Sequence, residues 1–129
     1  MIISLDWRKI ILGILAVLLI FSLIKIHKDL LKIIYPIYYK GIVFETAAEN
    51  NIDPYLLVSI IYVESKFNKE AVSQQGARGL MQIMPQTGEW VAENLGYQEF
   101  DLKDLYDPEI NIKCGSWYLA QLKKEFDNR

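Results

Sequence analysis

Fifteen consecutive residues, Ile10 to Ile24, carry no charge. Beyond them the chain changes character, from one continuous apolar run to stretches whose apolar residues recur with helical period. Ile37 to Asn50 places Ile42, Val43, Thr46 and Ala47 on one side of a helix. Pro54 to Ser65 is apolar until its last turn, with Asp53 as N-cap and Pro54 as the first helical residue, and the helix is expected to end near Lys66 or Phe67. A third helix starts at Pro85 and stops near Leu95, before Gly96. Asp107-Pro108 repeats the Asp-cap, Pro-first pattern and opens a last helix, with Ile110, Cys114, Trp117, Tyr118 and Leu122 on its inner face and a charged, fraying end from Lys123 to Arg129. Between the helices, Asn68 to Leu80 reads as a polar loop with one helical turn around Lys69–Val72, and Tyr97 to Tyr106 as an irregular acidic loop. No segment alternates with period two, so the predicted domain is all-α.

The apolar run at the N-terminus reads as a single transmembrane helix. A span needs about 20 residues; adding Ile26, with Lys25 snorkelling, extends the run to residues 10–26. Arg8 and Lys9 end a short basic segment at residues 1–9, Trp7 suits the interface, and residues 27–36 form a juxtamembrane linker that Pro36 breaks. A cleaved signal peptide, giving a secreted protein, is the alternative. Phe21-Ser22-Leu23-Ile24-Lys25 offers it no small-x-small cleavage site. Lys25, His27, Lys28 and Lys32 outnumber Arg8 and Lys9, and by the positive-inside rule they would hold residues 37–129 in the cytoplasm.

Charge divides at the same boundary. Residues 1–40 carry six Lys or Arg against two acids; residues 41–129 carry eight against fourteen. An acidic domain behind a basic leader does not suit nucleic acid. Cys114 is the only cysteine, so there is no internal disulfide, and it reads as a small buried apolar residue. His27, beside the membrane, is the only histidine, which excludes a Ser-His-Asp or Cys-His site in the domain and any metal site needing imidazole. Asp101, Asp104, Asp107 and Glu109 lack EF-hand spacing and read as caps and surface. No cofactor is expected.

The one unusual acid is Glu64. Ile61, Ile60 and Leu57 precede it by three, four and seven residues, on the same face of its helix. A carboxylate on an apolar stripe loses hydration, which favours its protonated form, the state a general acid needs. From the helix alone, a glutamate of the last turn that rotates to solvent and is inert is the favoured reading.

Residues 64–87 are more specific: Glu64-Ser65-Lys66-Phe67-Asn68, Ala71-Val72-Ser73, then Gly76-Ala77-Arg78-Gly79-Leu80-Met81-Gln82-Ile83-Met84-Pro85-Gln86-Thr87. Together with Tyr55-Leu56-Leu57, Asp107-Pro108, Asn111-Ile112, Gly115 and Tyr118-Leu119, they resemble the soluble lytic murein transglycosylase family over residues 37–124. The resemblance implies a lysozyme-like helical fold with a glycan cleft and peptidoglycan strands as substrate. Glu64 matches the catalytic acid. Ser73 and Gln82 match polar residues lining the cleft, and Met84 an apolar one; Met81 is expected in the core. Ser65 is a further binding candidate that equally well caps or packs beside the acid. The implied reaction cleaves the bond between N-acetylmuramic acid and N-acetylglucosamine without water, leaving a 1,6-anhydromuramyl end. A lysozyme-type hydrolase and an inactive glycan-binding or assembly module are the alternatives. Such work places the domain outside the cytoplasmic membrane, facing the wall and any cell-wall or secretion machinery, against the charge rule. The family also carries an Ala-Tyr-Asn-type motif beyond the helix of Tyr118; residues 119–129 do not supply it. The expectation is a domain at 37–129 that is C-terminally incomplete and lacks one wall of its cleft.

Overall fold

The computed structural model describes residues 7–34 and 37–127. They divide into two compact units, one ending at Ile37 and one beginning at Tyr38. The first is a single helix, α1 (Trp7–Ile34), in which Trp7–Leu30 is long and apolar enough to cross a membrane, with mean hydropathy 2.6. Its large apolar side chains, from Ile10 to Leu30, are exposed. The helix continues without interruption past the expected span end at residue 26; Pro36, the expected break, lies outside the described residues.

The second unit packs α2 (Lys40–Glu49), α3 (Pro54–Ser65), α4 (Pro85–Leu95), the 3₁₀ turn η1 (Leu102–Tyr106) and α5 (Pro108–Asp127). The helix starts follow the sequence signals. Asp53 Oδ1 accepts from the Tyr55 N–H at 2.9 Å, and Asp107 Oδ1 accepts from the N–H groups of Glu109 and Ile110. Gly96, with φ 80°, ends α4. α2 is shorter than expected because Tyr39 takes a left-handed conformation, φ 56°, and the helix begins only after it.

Three other expectations are corrected. The segment read as an irregular acidic loop contains η1, nucleated by a reciprocal capping box in which Asp101 Oδ1 accepts from the Lys103 N–H and Asp104 Oδ2 from the Asp101 N–H. The Lys103 N–H also holds the Asp101 carboxyl below its ordinary range. In place of a helical turn at 69–72 there is a tight turn at Asn68–Ala71, where Asn68 Oδ1 takes the Glu70 N–H, and Val72 then bridges to Arg78. Finally, α5 buries a different face from the one its large residues suggested. Asn111, Ile112, Cys114, Gly115, Ser116 and Ala120 are buried, Ile110, Trp117 and Leu122 are half-buried, and Tyr118 is exposed. α5 is the central helix, packed on α2 on one side and on α4 and η1 on the other. Small residues let those neighbours approach, and the larger ones turn outward. A Cβ at Gly115 would lie 2.4 Å from Met81 Sδ.

Two apolar clusters result. Val43, Ala47, Leu57, Ile61, Leu80 and Ile112 form one; Ile83, Val91, Leu105 and Cys114 form the other; Met81 packs against both. Burial pushes the Cys114 thiol up to about 11 from an ordinary 9.0 and raises the Tyr97 phenol as well. The folded chain thus keeps protons that the unfolded chain releases as pH rises from about 9 toward 11, so stability falls through that window. For Cys114 the full effect is about 2–3 kcal/mol. Urea midpoints should drop above pH 9, and Cys114→Ala should lessen the drop. Parallel pH profiles for the two proteins would be the contrary result.

Candidate active site

The segment joining α3 to α4 is built on two glycines, a strained glutamine and a buried asparagine. Gly76 and Gly79 take φ values of 89° and 75°. At Gly79 an added Cβ would lie 2.1 Å from the Leu105 carbonyl oxygen and 2.3 Å from Asn111 Nδ2, so only glycine fits. Asn111 is completely buried. Its Nδ2 donates to the carbonyls of Arg78 (3.0 Å) and Leu105 (2.7 Å), and its Oδ1 accepts from the Met81 N–H (2.8 Å). One amide therefore ties the loop and η1 to α5. Arg78 adds a second tie: Nη1 donates to Leu102 O, and the guanidinium lies over the Tyr106 ring. Neither tie carried a role in the sequence reading. The signal was a polar residue on the apolar face of α5, within the matched pair Asn111-Ile112.

This framework sets the sugar-binding candidates. Gln82 takes a left-handed conformation, φ 47°, and its Nε2 donates to the carbonyls of Ala71 (3.2 Å) and Gly79 (2.9 Å). Its donor hydrogens are thus committed to the loop, and Oε1 is the group left to meet a ligand. Ser73 Oγ accepts from the Ala77 N–H at 3.0 Å, which closes the loop and leaves the hydroxyl hydrogen as a donor. Ser65 Oγ donates to Ile61 O one turn back along α3, the packing alternative of the sequence reading.

A groove of about 330 Å³ runs between α3, the loop and α5, lined by Ile60, Gln82, Met84, Thr87, Tyr118 and Leu122 among others. Gln82 and Met84 come together here, Met84 exposed and presenting its thioether side chain. Met81, expected in the core, is half-buried and reaches both core and groove. Ser73 and Ser65 do not line the groove. Nor does Glu64, but it lies one turn beyond Ile60 on the same face of α3. Its exposure overturns the expected desolvation. The apolar stripe below it is buried at Leu57 and Ile61, but Glu64 occupies the last turn of α3, where its own row no longer has neighbours above it. Glu70, the nearest other acid of the segment, is exposed and pairs with Lys69 at 3.7 Å.

A small helical domain with an acid at the end of one helix, beside an amide- and methionine-lined groove, is of the lysozyme-like fold class. The chain belongs to the transglycosylase SLT domain family, whose model matches residues 41–129. It is 38% identical over 90 residues to membrane-bound lytic murein transglycosylase E of Buchnera aphidicola, an alignment covering 68% of this chain and 41% of that protein. Membrane-bound lytic murein transglycosylase C of Actinobacillus pleuropneumoniae is 40% identical over 90 residues, covering 68% and 25%. Among solved structures, an inactive glutamate-to-glutamine mutant of the lytic transglycosylase Slt of Pseudomonas aeruginosa superposes with a TM-score of 0.70 at 29% identity, over 75% of this chain and 16% of that one. The 70-kDa soluble lytic transglycosylase of Escherichia coli, also solved in complex with bulgecin A, gives 0.68 at 30% identity, over 77% and 16%. The chain thus spans less than half the length of these relatives.

Proposed function

We propose that the chain is a membrane-anchored peptidoglycan lytic transglycosylase, with residues 10–26 as anchor and 37–129 as a family domain that faces the cell wall. The observation that carries this reading is the position of Glu64, one turn beyond the groove residue Ile60 in a chain of this family. The relatives' names as membrane-bound murein transglycosylases and the apolar α1 support the setting.

A glycosidase of the usual kind needs two carboxylates flanking the scissile bond. Among the described residues no acid lines the groove itself and Glu64 is the one the family motif places beside it, so the nucleophile is taken from the substrate. Glu64 protonates the oxygen joining N-acetylmuramic acid to N-acetylglucosamine as the bond to the muramyl C1 breaks. The muramyl N-acetyl group stabilises the cationic C1. The Glu64 carboxylate then takes the proton of the muramyl C6 hydroxyl as that oxygen closes on C1, and the acid is regenerated. No water enters the product. The tethered hydroxyl has the effective-molarity advantage of an intramolecular nucleophile. Gln82 Oε1 accepts from a sugar hydroxyl or N-acetyl N–H, the Ser73 hydroxyl donates at the margin of the site, and Met84 offers an apolar surface to the ring. Ser65, back-bonded to α3, holds the helix end that carries Glu64.

Mass analysis of muropeptides released from purified peptidoglycan tests the reaction. Ends lighter by one water than free reducing ends are expected; hydrated reducing ends would identify a hydrolase instead.

A further inference from the structure

α3 carries no charge between Asp53 and Glu64, and only part of it is covered. Leu57 and Ile61 face the core, while Tyr55 and Tyr62 are 61% and 52% exposed on the opposite side. These two tyrosines share a helical row with Ser59 and the row carries no charge; Lys66, in a left-handed conformation, follows the helix. Neighbouring elements extend it. The Phe44 ring of α2 meets Tyr55 edge-on at 5.6 Å, Tyr38 meets Phe67 at 5.5 Å, and Phe67 meets Tyr62 at 6.4 Å. The Lys40 ammonium lies over the Phe44 ring at 5.4 Å. The rings form two groups, Phe44 with Tyr55 and Tyr38 with Phe67 and Tyr62; Phe44 and Phe67 are half-buried against the core, and Tyr38, Tyr55 and Tyr62 are exposed. Singly scattered tyrosines need no explanation, whereas these ring groups stand at the two ends of one uncharged helical row.

Chain connectivity names the occupant. The apolar stretch of α1 ends at Leu30 and the first of these rings is Tyr38. Seven residues lie between, about 25 Å even at full extension. Rings with an apolar body and a polar hydroxyl, flanked by lysines, favour the headgroup level of a bilayer.

We infer that the aromatic outer face of the α2–α3 hairpin, centred on Tyr55 and Tyr62, is a second membrane contact that lies in the lipid headgroup region. The inference rests on the reading of α1 as a membrane anchor. Docked this way, the hairpin sits against the bilayer while the groove, on the other flank of α3, stays open to glycan.

The full chain in phosphatidylcholine–phosphatidylglycerol vesicles tests this without any substitution. Free in solvent, the exposed Tyr55 and Tyr62 oxidise faster than the half-buried Tyr97 and Tyr106 under hydroxyl radicals; docking reverses that order. A second measurement places an environment-sensitive fluorophore on Tyr55→Cys, Tyr62→Cys and Glu99→Cys chains, the native Cys114 being buried. Nitroxide-labelled lipid should quench at 55 and 62 at least about two-fold more than at 99, as for rings at the interface. A chain retained by the vesicles with fast-reacting tyrosines and no preferential quenching overturns the contact and leaves the anchor standing. Protection without lipid quenching means a protein cover, such as a second copy, and also overturns it. A chain stripped from vesicles by alkaline carbonate overturns the anchor, and the contact with it.

Discussion

Replacing Glu64 by glutamine is expected to lower cleavage of purified peptidoglycan by about 10²–10⁴-fold, the range supplied by a positioned general acid. Glutamine keeps the shape of the side chain and removes the proton that the glycosidic oxygen must receive. The fold should not suffer. Glu64 is exposed and makes no hydrogen bond or ion pair with another described residue, and such surface substitutions stay within about 0.5 kcal/mol. Sedimentation with insoluble peptidoglycan should therefore report unchanged binding beside the lost turnover. A variant that cleaves within a few-fold of the parent would remove Glu64 from the mechanism. If neither protein cleaves and both bind, the chain is a glycan-binding module.

Asn111→Ala has the largest expected effect on stability. Its side-chain amide makes three hydrogen bonds in a fully buried site, to Arg78 O, Leu105 O and the Met81 N–H. Alanine strands the Leu105 carbonyl and the Met81 N–H, at about 1–3 kcal/mol each, while Arg78 O keeps its bond from the Ile83 N–H, for a total on the order of 2–6 kcal/mol. Small domains have about 5–15 kcal/mol in all, so the loss removes a large share of the stability. Urea titration followed by tryptophan fluorescence measures it directly. Asn111→Asp keeps the acceptor for Met81 but turns the donor into a repelled oxygen, so it should be no milder. A loss below about 1 kcal/mol for the alanine variant would mean that the amide is replaceable by water.

The helices were legible because their signals are local. Asp53-Pro54, Asp107-Pro108 and Gly96 act within one turn, and the apolar run of α1 needs no partner to be read. The η1 turn was missed because its capping box, Asp101 with Asp104, precedes no long apolar run, and acids in a loop look like solvated surface. The buried face of α5 was misjudged for a different reason. Large apolar residues mark a core face when one neighbour covers the helix; α5 is flanked on two sides, and there Gly115, Ser116 and Ala120 decide how closely α2, α4 and η1 approach. The site shows the same division. Glu64, Ser73, Gln82 and Met84 are site candidates from motif and register, but nothing in the register revealed that the amide of Gln82 and the hydroxyl of Ser73 are already engaged in holding their own loop.

The sequence by itself determined the all-α domain, the apolar leader, the family and the single candidate acid, because each depends on residue type and spacing along one stretch of chain. Only the tertiary structure decided that Gln82 and Met84 share a groove with Ile60, that Asn111 clamps loop, η1 and α5 together, and that Glu64 is exposed. Those facts depend on which distant segments meet. Desolvation in particular belongs to the neighbours of a residue rather than to the residue itself: the stripe on α3 supplied an apolar face, and the end of the helix left the acid beyond its cover.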